Sequence, residues 1–379
     1  MLNKAFVVIG GGYHQLPLIR EIKKQGLKLI IVDKNVSAPG FEYADYSIVY
    51  DSYDYKGILK RVMVLAKKVN IVGVATQASR GAIITTSYLA SKLETKWLNF
   101  KTAFFITDKK FISKKFNGDI HINNYQKELN FPIVLKDPDL SGSMGVLKIE
   151  SKKEFDKFIK TKNLKNFNKF ILEKFIEGKH LIVLGLKTNE FLKLYGIAEK
   201  FIDNKMRTKL VIFPSSLDRE DSKLVVKYSE QLLREINFDF GPFMIELILE
   251  NGTKKLYVAE IEASLTGSHF MEIMIPTVTD AIPIKETINT IIGKKIKKSV
   301  KKFDLFYAQK YYYPNKFGKI KKIFIEGCEG DIKLFPHIRE DIKNYTPKLY
   351  FFNAVLVGRY LRKKEILEKL ERCNLNIIQ

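Results

Sequence analysis

Three short stretches of this chain combine residue types that can do phosphate chemistry. In VLKDPDLSGSMGV, Lys136 comes near the end of an apolar strand that starts after Pro132, and Ser141-Gly142-Ser143-Met144-Gly145 follows as a loop of small residues. Glycines and serines at this spacing let consecutive backbone N–H groups turn toward a phosphate without Cβ obstruction. A Lys on the neighbouring strand adds a point charge for the same phosphates. The plainer reading is a hairpin loop with a strand-end Lys. The spacing is not G-x-x-x-x-G-K-[ST], so the P-loop class is set aside.

The second stretch is ILEKFIEGKH, where a strand reaches Glu173, continues through Lys174-Phe175-Ile176 and breaks at Glu177-Gly178. An extended linker of this kind can present alternating backbone donors and acceptors to an adenine edge; taken alone it is an ordinary strand exit. The third stretch pairs acids: Glu246 in FMIEL, and Glu260 and Glu262 in VAEIEAS. Residues i and i+2 share a strand face, and the Asn251-Gly252 turn can bring Glu246 level with Glu260. Three carboxylates at one place repel unless a cation neutralises them, and hard oxygen ligands suit Mg²⁺ held with substrate phosphates. The alternative is a solvent-facing acid row, because Phe243, Ile245, Leu247, Tyr257, Ala259 and Ile261 fill the opposite face.

The elements that must position these residues fall into three stretches. Residues 1–100 alternate continuous apolar strands (AFVVIGGG, LKLIIVDKN, IVGVATQ) with amphipathic helices, which predicts an α/β unit with a parallel sheet covered on both faces. Ligands of such sheets sit beyond the carboxyl ends of the strands, where Gly10–Gly12, Asp33 and Thr76–Gln77 fall. A dinucleotide fingerprint is incomplete there: Gly10 and Gly12 fit, the third position is Gln15, and Asp33 lies where a ribose-binding acid would be. A simple glycine turn accounts for the same residues. Residues 101–300 read as α+β, with mixed or antiparallel sheets around the three stretches above. From 303 on, FDLFYAQKYYYPNKFGKIKKIFIEGCEG looks like two strands around a turn, followed by the strand AVLVGRY and the helix KKEILEKLER.

Composition narrows the function classes. A length of 379 residues suits two or three compact units. The chain has 65 basic and 42 acidic residues, a net charge of +23, which raises a nucleic-acid partner. Only ten of the basic residues are Arg, and the Lys residues are spread along the chain, with one dense run at KKIKKSVKK. No aromatic–basic recognition module accompanies them, so an anionic small molecule is the favoured partner. No apolar run is long enough for a membrane span, and the opening residues lack a signal-peptide cleavage site. Two cysteines, Cys328 and Cys373, form neither a disulfide framework nor a thiolate metal cluster and suit a reducing, cytoplasmic setting. No two histidines have metal-ligand spacing, so zinc chemistry is unsupported. His121 and His337 read as bystanders; His14 and His269 read as candidate substrate contacts.

In the order Lys109, Lys136 with SGSMG, EKFIEG, and Glu246…Glu260-x-Glu262, the chain resembles the ATP-grasp superfamily, and most of all its carboxylate–amine ligase branch, which includes ligases of purine synthesis and biotin carboxylase. The resemblance extends over nearly the whole chain. It implies an N-terminal parallel-sheet domain (1–100), an ATP-grasp domain (101–300) with a lid at about 130–185, and a small β-rich C-terminal segment (301–379) completing the core. It further implies that Lys109 and Lys136 hold ATP phosphates under the 141–145 loop, with Ser141, Gly142, Ser143 and Gly145 contributing. Glu173 and the Lys174–Ile176 backbone would form the adenine hinge, with His180 near the ribose. Glu246, Glu260 and Glu262 would bind Mg²⁺, or Mn²⁺ in its place. The family reaction makes an acyl phosphate from a carboxylate and ATP, which an amine then attacks. In the family an Arg follows the metal segment; here Ser264 stands there. Arg207, Lys205, Lys209, Lys310 and Arg359 are candidates to supply its charge, and Arg207, His269 and Arg359 are the expected catalytic residues. A bicarbonate-using carboxylase and a non-catalytic nucleotide-binding protein are the rival readings. A homodimer is the expected assembly, since closed twofold assemblies are common.

Overall fold

The computed structural model describes residues 2–123, 129–140, 145–162, 169–267, 269–313, 322–326, 333–336, 354–360 and 362–378. Four parallel strands open it: β1 (Lys4–Ile9), β2 (Lys28–Asp33), β3 (Tyr46–Val49) and β4 (Asn70–Thr76), in the order β3-β2-β1-β4. β1 and β2 are buried on both faces, which is why they read as continuous apolar runs. Helices α1 (Leu16–Lys24), α2 (Tyr55–Leu65) and α3 (Gly81–Lys92) flank this sheet. α1 buries Leu18, Ile19 and Ile22, and Asp54 caps α2 by accepting from Gly57 N at 2.9 Å. Each such Leu or Ile, fully buried, contributes about 1.5–3 kcal/mol over leaving it in water.

Two short helices lead onward: α4 (Phe100–Thr107), capped by Asn99, and α5 (Lys109–Phe116). Asp108 caps α5, accepting from Lys110 N and Phe111 N at 2.9 and 3.0 Å, and so fixes Lys109 at the helix start. Beyond α5 lies a small antiparallel sheet of β5 (Ile133–Lys136), β6 (Val146–Ile149) and β7 (Ile171–Lys174), in the order β6-β5-β7. Helix α6 (Lys152–Lys162) connects β6 to β7. Ile133, Leu135, Ile149, Phe155 and Leu172 form a separate apolar core under it.

The central sheet has eight strands among the described residues. In chain order these are β8 (Gly178–Lys187), β9 (Leu192–Ile202), β10 (Thr208–Phe213), β11 (Gly241–Glu250), β12 (Leu256–Glu262) and β13 (Phe306–Tyr312). β14 (Lys322–Glu326) lies elsewhere, and β15 (Lys333–Pro336) and β16 (Ala354–Tyr360) complete the sheet in the order β12-β11-β8-β9-β10-β13-β16-β15. Helices α7 (Arg219–Glu235), α8 (Ile275–Val278), α9 (Pro283–Ile291) and α10 (Lys363–Arg372) accompany it. The last strand, β17 (Asn374–Ile378), pairs with β14. The two strands read at 303–330 are therefore not partners: β13 pairs with β10 and β16, because Tyr307 and Ala308 are fully buried there.

One apolar core runs from the N-terminal sheet through the central sheet and α9. A Cβ on Gly73 of β4 would lie 2.7 Å from Ile291 Cγ2 of α9, so the two bodies are in intimate contact. No helix among the described residues is long and apolar enough to cross a membrane. Cys373 is buried and disulfide-bonded, which departs from the reduced thiols expected of the sequence; Cys328 lies outside the described residues.

Candidate active site

Lys136 ends β5, and its Nζ lies 2.5 Å from Glu173 Oε2 on β7, the adjacent strand. Glu173 is 3% exposed. Its other oxygen accepts from Ser113 Oγ at 2.5 Å and from Asn117 Nδ2 at 3.1 Å, both at the end of α5. Burial alone would raise its pKa, but Lys136 and then Ser113 and Asn117 reverse the effect and hold it below the usual carboxylate value. Asn117 also exchanges two bonds with the Val258 backbone of β12, at 2.7 and 2.9 Å. One buried amide thus ties Glu173 to the strand that carries Glu260 and Glu262.

Lys109 reaches two ways. Its Nζ donates to Leu140 O at 2.9 Å and sits 3.0 Å from Glu260 Oε1. The same β5–β6 hairpin is touched by Arg80 from the N-terminal domain, 3.7 Å from Asp139. Ser141, Gly142 and Ser143 lie outside the described residues. Gly145, which closes that loop, has φ +71, and a Cβ on it would also meet Asp137 Cβ at 2.9 Å, so the turn favours glycine on both counts.

Glu246 and Glu260 are direct partners across β11 and β12, as the tight turn between the strands suggested. Each is engaged by a lysine: Lys200 Nζ lies 2.6 Å from Glu246 Oε2, and Lys109 holds Glu260. Glu262 is buried, and its pKa is pushed up to about 8, first by burial and then by Glu260, with Lys109 opposing and Glu246 adding. As they stand, no three acids, histidines or cysteines among the described residues converge on one ion-sized position. Glu246 and Glu260 nevertheless fit a hard divalent cation: they are opposed oxygen donors, both now neutralised by ammonium groups that such an ion would replace. Glu262, whose carboxyl pKa is raised by burial and by Glu260, fits less directly.

His180 lies on β8 between Ile248 of β11 and Lys200 of β9. Burial, then Lys200 and Lys136, lowers its pKa to about 4. In the strand exit, Lys174 N is bonded to Ile120 O at 2.9 Å and Phe175 N to Pro132 O at 3.1 Å. Two of the three backbone donors expected to face an adenine are therefore already used. Lys148 lies over the Phe175 ring at 4.1 Å, and Ile176 packs with Ile120, Tyr257 and Ile248.

The segment after β12 closes against the N-terminal sheet. Leu265 N donates to Thr76 O at 3.3 Å, and a Cβ on Gly267 would lie 3.7 Å from the His14 ring. Ser264 is fully buried, and its Oγ has no hydrogen-bond partner among the described residues. His269 has left-handed backbone (φ 63), its Nδ1 lies 3.0 Å from Glu272 Oε1, and a five-residue π-turn, Phe270–Met274, follows. Such turns and such φ values for non-glycine residues concentrate at functional sites. Asp33 accepts from Gly11 N at 2.7 Å, so it secures the glycine turn.

The candidates for the missing charge are not gathered at the acids. Arg207 is held by Asp203, with Nε 2.7 Å from Oδ2, and stacks 4.3 Å over Tyr313. It precedes β10, three strands from β11, roughly 14 Å away at ordinary strand spacing. Lys205 shares that turn, and Lys209 lies on β10. Lys310 donates to Leu370 O at 2.7 Å. Arg359 is on β16 opposite Tyr307. His121, read as a bystander, has its Nδ1 2.7 Å from Ser113 Oγ, and an isolated bridge pairs it with Glu173. Ser113, Asn117, Lys200 and Arg80 went unread. Ser113 and Asn117, one helical turn apart, could have been found as a polar pair on one face of α5; nothing local marks Arg80 or Lys200.

Residues 129–271 match the family model for the ATP-grasp domain. D-alanine–D-alanine ligase of Prochlorococcus marinus (strain NATL1A) is 28% identical over 185 residues, 44% of this chain and 52% of that one. The chain spans about half the length of the curated relatives it matches. The structure of the L-amino acid ligase from Bacillus licheniformis superposes with a TM-score of 0.80 at 17% identity, over 100% of this chain and 99% of that one. The biotin carboxylase domain of the Hydrogenobacter thermophilus 2-oxoglutarate carboxylase, in complex with MgADP and bicarbonate, gives 0.69 at 18% identity, over 100% and 92%. Residues 129–271 thus match the ATP-grasp domain, and the chain shares the fold of the L-amino acid ligase structure over its whole length.

Proposed function

We propose that this protein is an ATP- and Mg²⁺-dependent ligase that activates a small carboxylate as an acyl phosphate and joins it to an amine, releasing ADP and phosphate. The observation that carries the reading is the position of Lys109: one ammonium bonds both the Leu140 carbonyl of the glycine-rich hairpin and Glu260 of the acid pair. A group so placed lies between a phosphate-binding loop and a cation-binding pair. The names of the D-alanine–D-alanine ligase and L-amino acid ligase relatives support the same reaction class.

In this reading Lys109 and Lys136 neutralise the transferring phosphoryl group while the carboxylate oxygen attacks it and the bond to ADP breaks. Glu246 and Glu260 would hold the Mg²⁺, which would supply charge stabilisation at the phosphates. The amine nitrogen then attacks the acyl carbon, phosphate leaves, and a base takes the amine proton. His269, oriented by Glu272, is our candidate for that base. Arg207 is assigned to the β9–β10 turn, where Asp203 holds it.

The test is ADP and phosphate release with Mg-ATP across a panel of carboxylates, each with and without amines. Bicarbonate belongs in the panel, since the biotin carboxylase neighbour was solved with it; release driven by bicarbonate alone marks a carboxylase. Lys136→Ala and Glu260→Gln are each expected to lower release about 100-fold or more. Release at the parental rate by either variant would sink the reading.

A further inference from the structure

We propose that His121 is a positioning residue of the nucleotide site, acting through Ser113 on Glu173 and thereby on Lys136. The inference rests on the reading above, in which Lys136 serves the nucleotide. Proton arithmetic gives the direction of each bond. Glu173, with its pKa held low, can only accept, so the 2.5 Å contact from Ser113 uses the single hydroxyl proton of that serine. The 2.7 Å contact between Ser113 Oγ and His121 Nδ1 must then be donated by the histidine. Neutral His121 is therefore the Nδ1–H tautomer, fixed by the chain of bonds rather than by its own surroundings.

The consequence falls on the geometry of Glu173. Ser113 and Asn117 together fill Oε1, at 2.5 and 3.1 Å, which fixes the carboxylate plane and leaves Oε2 to Lys136 at 2.5 Å. A donor behind Ser113 polarises its hydroxyl and strengthens the bond ahead of it. The backbone secures the histidine: His121 N donates to Asn117 O at 2.8 Å, and Ile122 N to Leu172 O at 2.8 Å. Burial keeps His121 below the ordinary histidine pKa; Glu173 opposes this, and Lys114, Lys110 and Lys136 reinforce it.

Calorimetric titration with Mg-ADP tests the assignment, on the full chain and four variants. His121→Leu and Ser113→Ala are each expected to weaken binding about three- to tenfold. His121→Asn, whose Nδ2 occupies the place of Nδ1 and donates in the same direction, should restore binding to within about twofold of the parent. The double variant His121→Leu/Ser113→Ala should bind no more weakly than Ser113→Ala, because both changes act on one bond. Parental binding by His121→Leu overturns the assignment, as does a His121→Asn as weak as His121→Leu, or additive losses in the double variant. An unmodified chain that does not bind Mg-ADP overturns the nucleotide reading itself, and this one with it.

Discussion

At Glu262, burial and the neighbouring Glu260 push the carboxyl pKa up to about 8, so the folded chain keeps a proton that the unfolded chain releases near 4.5. The folded state binds more protons throughout that window, and stability therefore falls as pH rises from about 4.5 to about 8. Glu262→Gln mimics the protonated acid. Without divalent cations it should melt close to the parent at pH 5 and roughly 5 °C above it at pH 8.5, by calorimetry at both values. His180 has the opposite sign. Its pKa is lowered from 6.5 to about 4, so stability falls as pH drops through that window. His180→Gln should flatten the acid limb of the melting curve between those values; an unchanged limb would mean that other groups govern it.

The hairpin of β11 and β12 is the element that turns separate glutamates into a pair, since its register puts Glu246 opposite Glu260. β8 lies against the other edge of β11 along its full length, beginning at Gly178. There the two backbones are so close that a Cβ on Gly178 would sit 2.2 Å from Leu249 O. A side chain at this point must push β8 away from β11, close to the strand exit that carries Glu173. Gly178→Val is expected to destabilise the fold by about 1–3 kcal/mol, read as a lower denaturant midpoint. α5 contributes in another way. Its Asp108 cap orients Lys109, while Ser113 and Asn117 on the following turns meet Glu173, so one short helix serves both halves of the site.

Across the molecule, a buried ion pair anchors the central sheet to the segment packed beside it. Lys193 of β9, 1% exposed at its side chain, pairs with Glu286 of α9 at 2.8 Å and donates to Lys297 O at 2.8 Å. Tyr195 adds a bond to the same carboxylate, at 3.1 Å. The dense lysine run thus has a structural attachment through its backbone, while its side chains remain mostly exposed. Glu286→Ala strands the Lys193 charge in the interior and should cost about 3–5 kcal/mol. Changing Lys193 and Glu286 together, to Met and Leu, should recover much of that loss. Equilibrium unfolding of the three chains checks both statements.

Much of the site was legible because its signals are local. Glycine and serine spacing marks a loop, strand alternation puts Glu260 and Glu262 on one face, and Asn251-Gly252 sets the hairpin that levels Glu246 with Glu260. The parallel N-terminal sheet was equally readable, from runs buried on both faces. Sequence could not say which lysine meets which acid. Lys200 reaches Glu246 only because β8 and β9 lie beside β11 in the central sheet, and strand order depends on pairings between segments far apart in the chain. For the same reason His121 looked idle and Arg207 looked available. The sequence by itself determined the chemistry of each stretch, through backbone geometry that acts over a few residues. The tertiary structure decided the partners, because a charge or a hydroxyl takes its role from whatever the fold brings within about 3 Å of it.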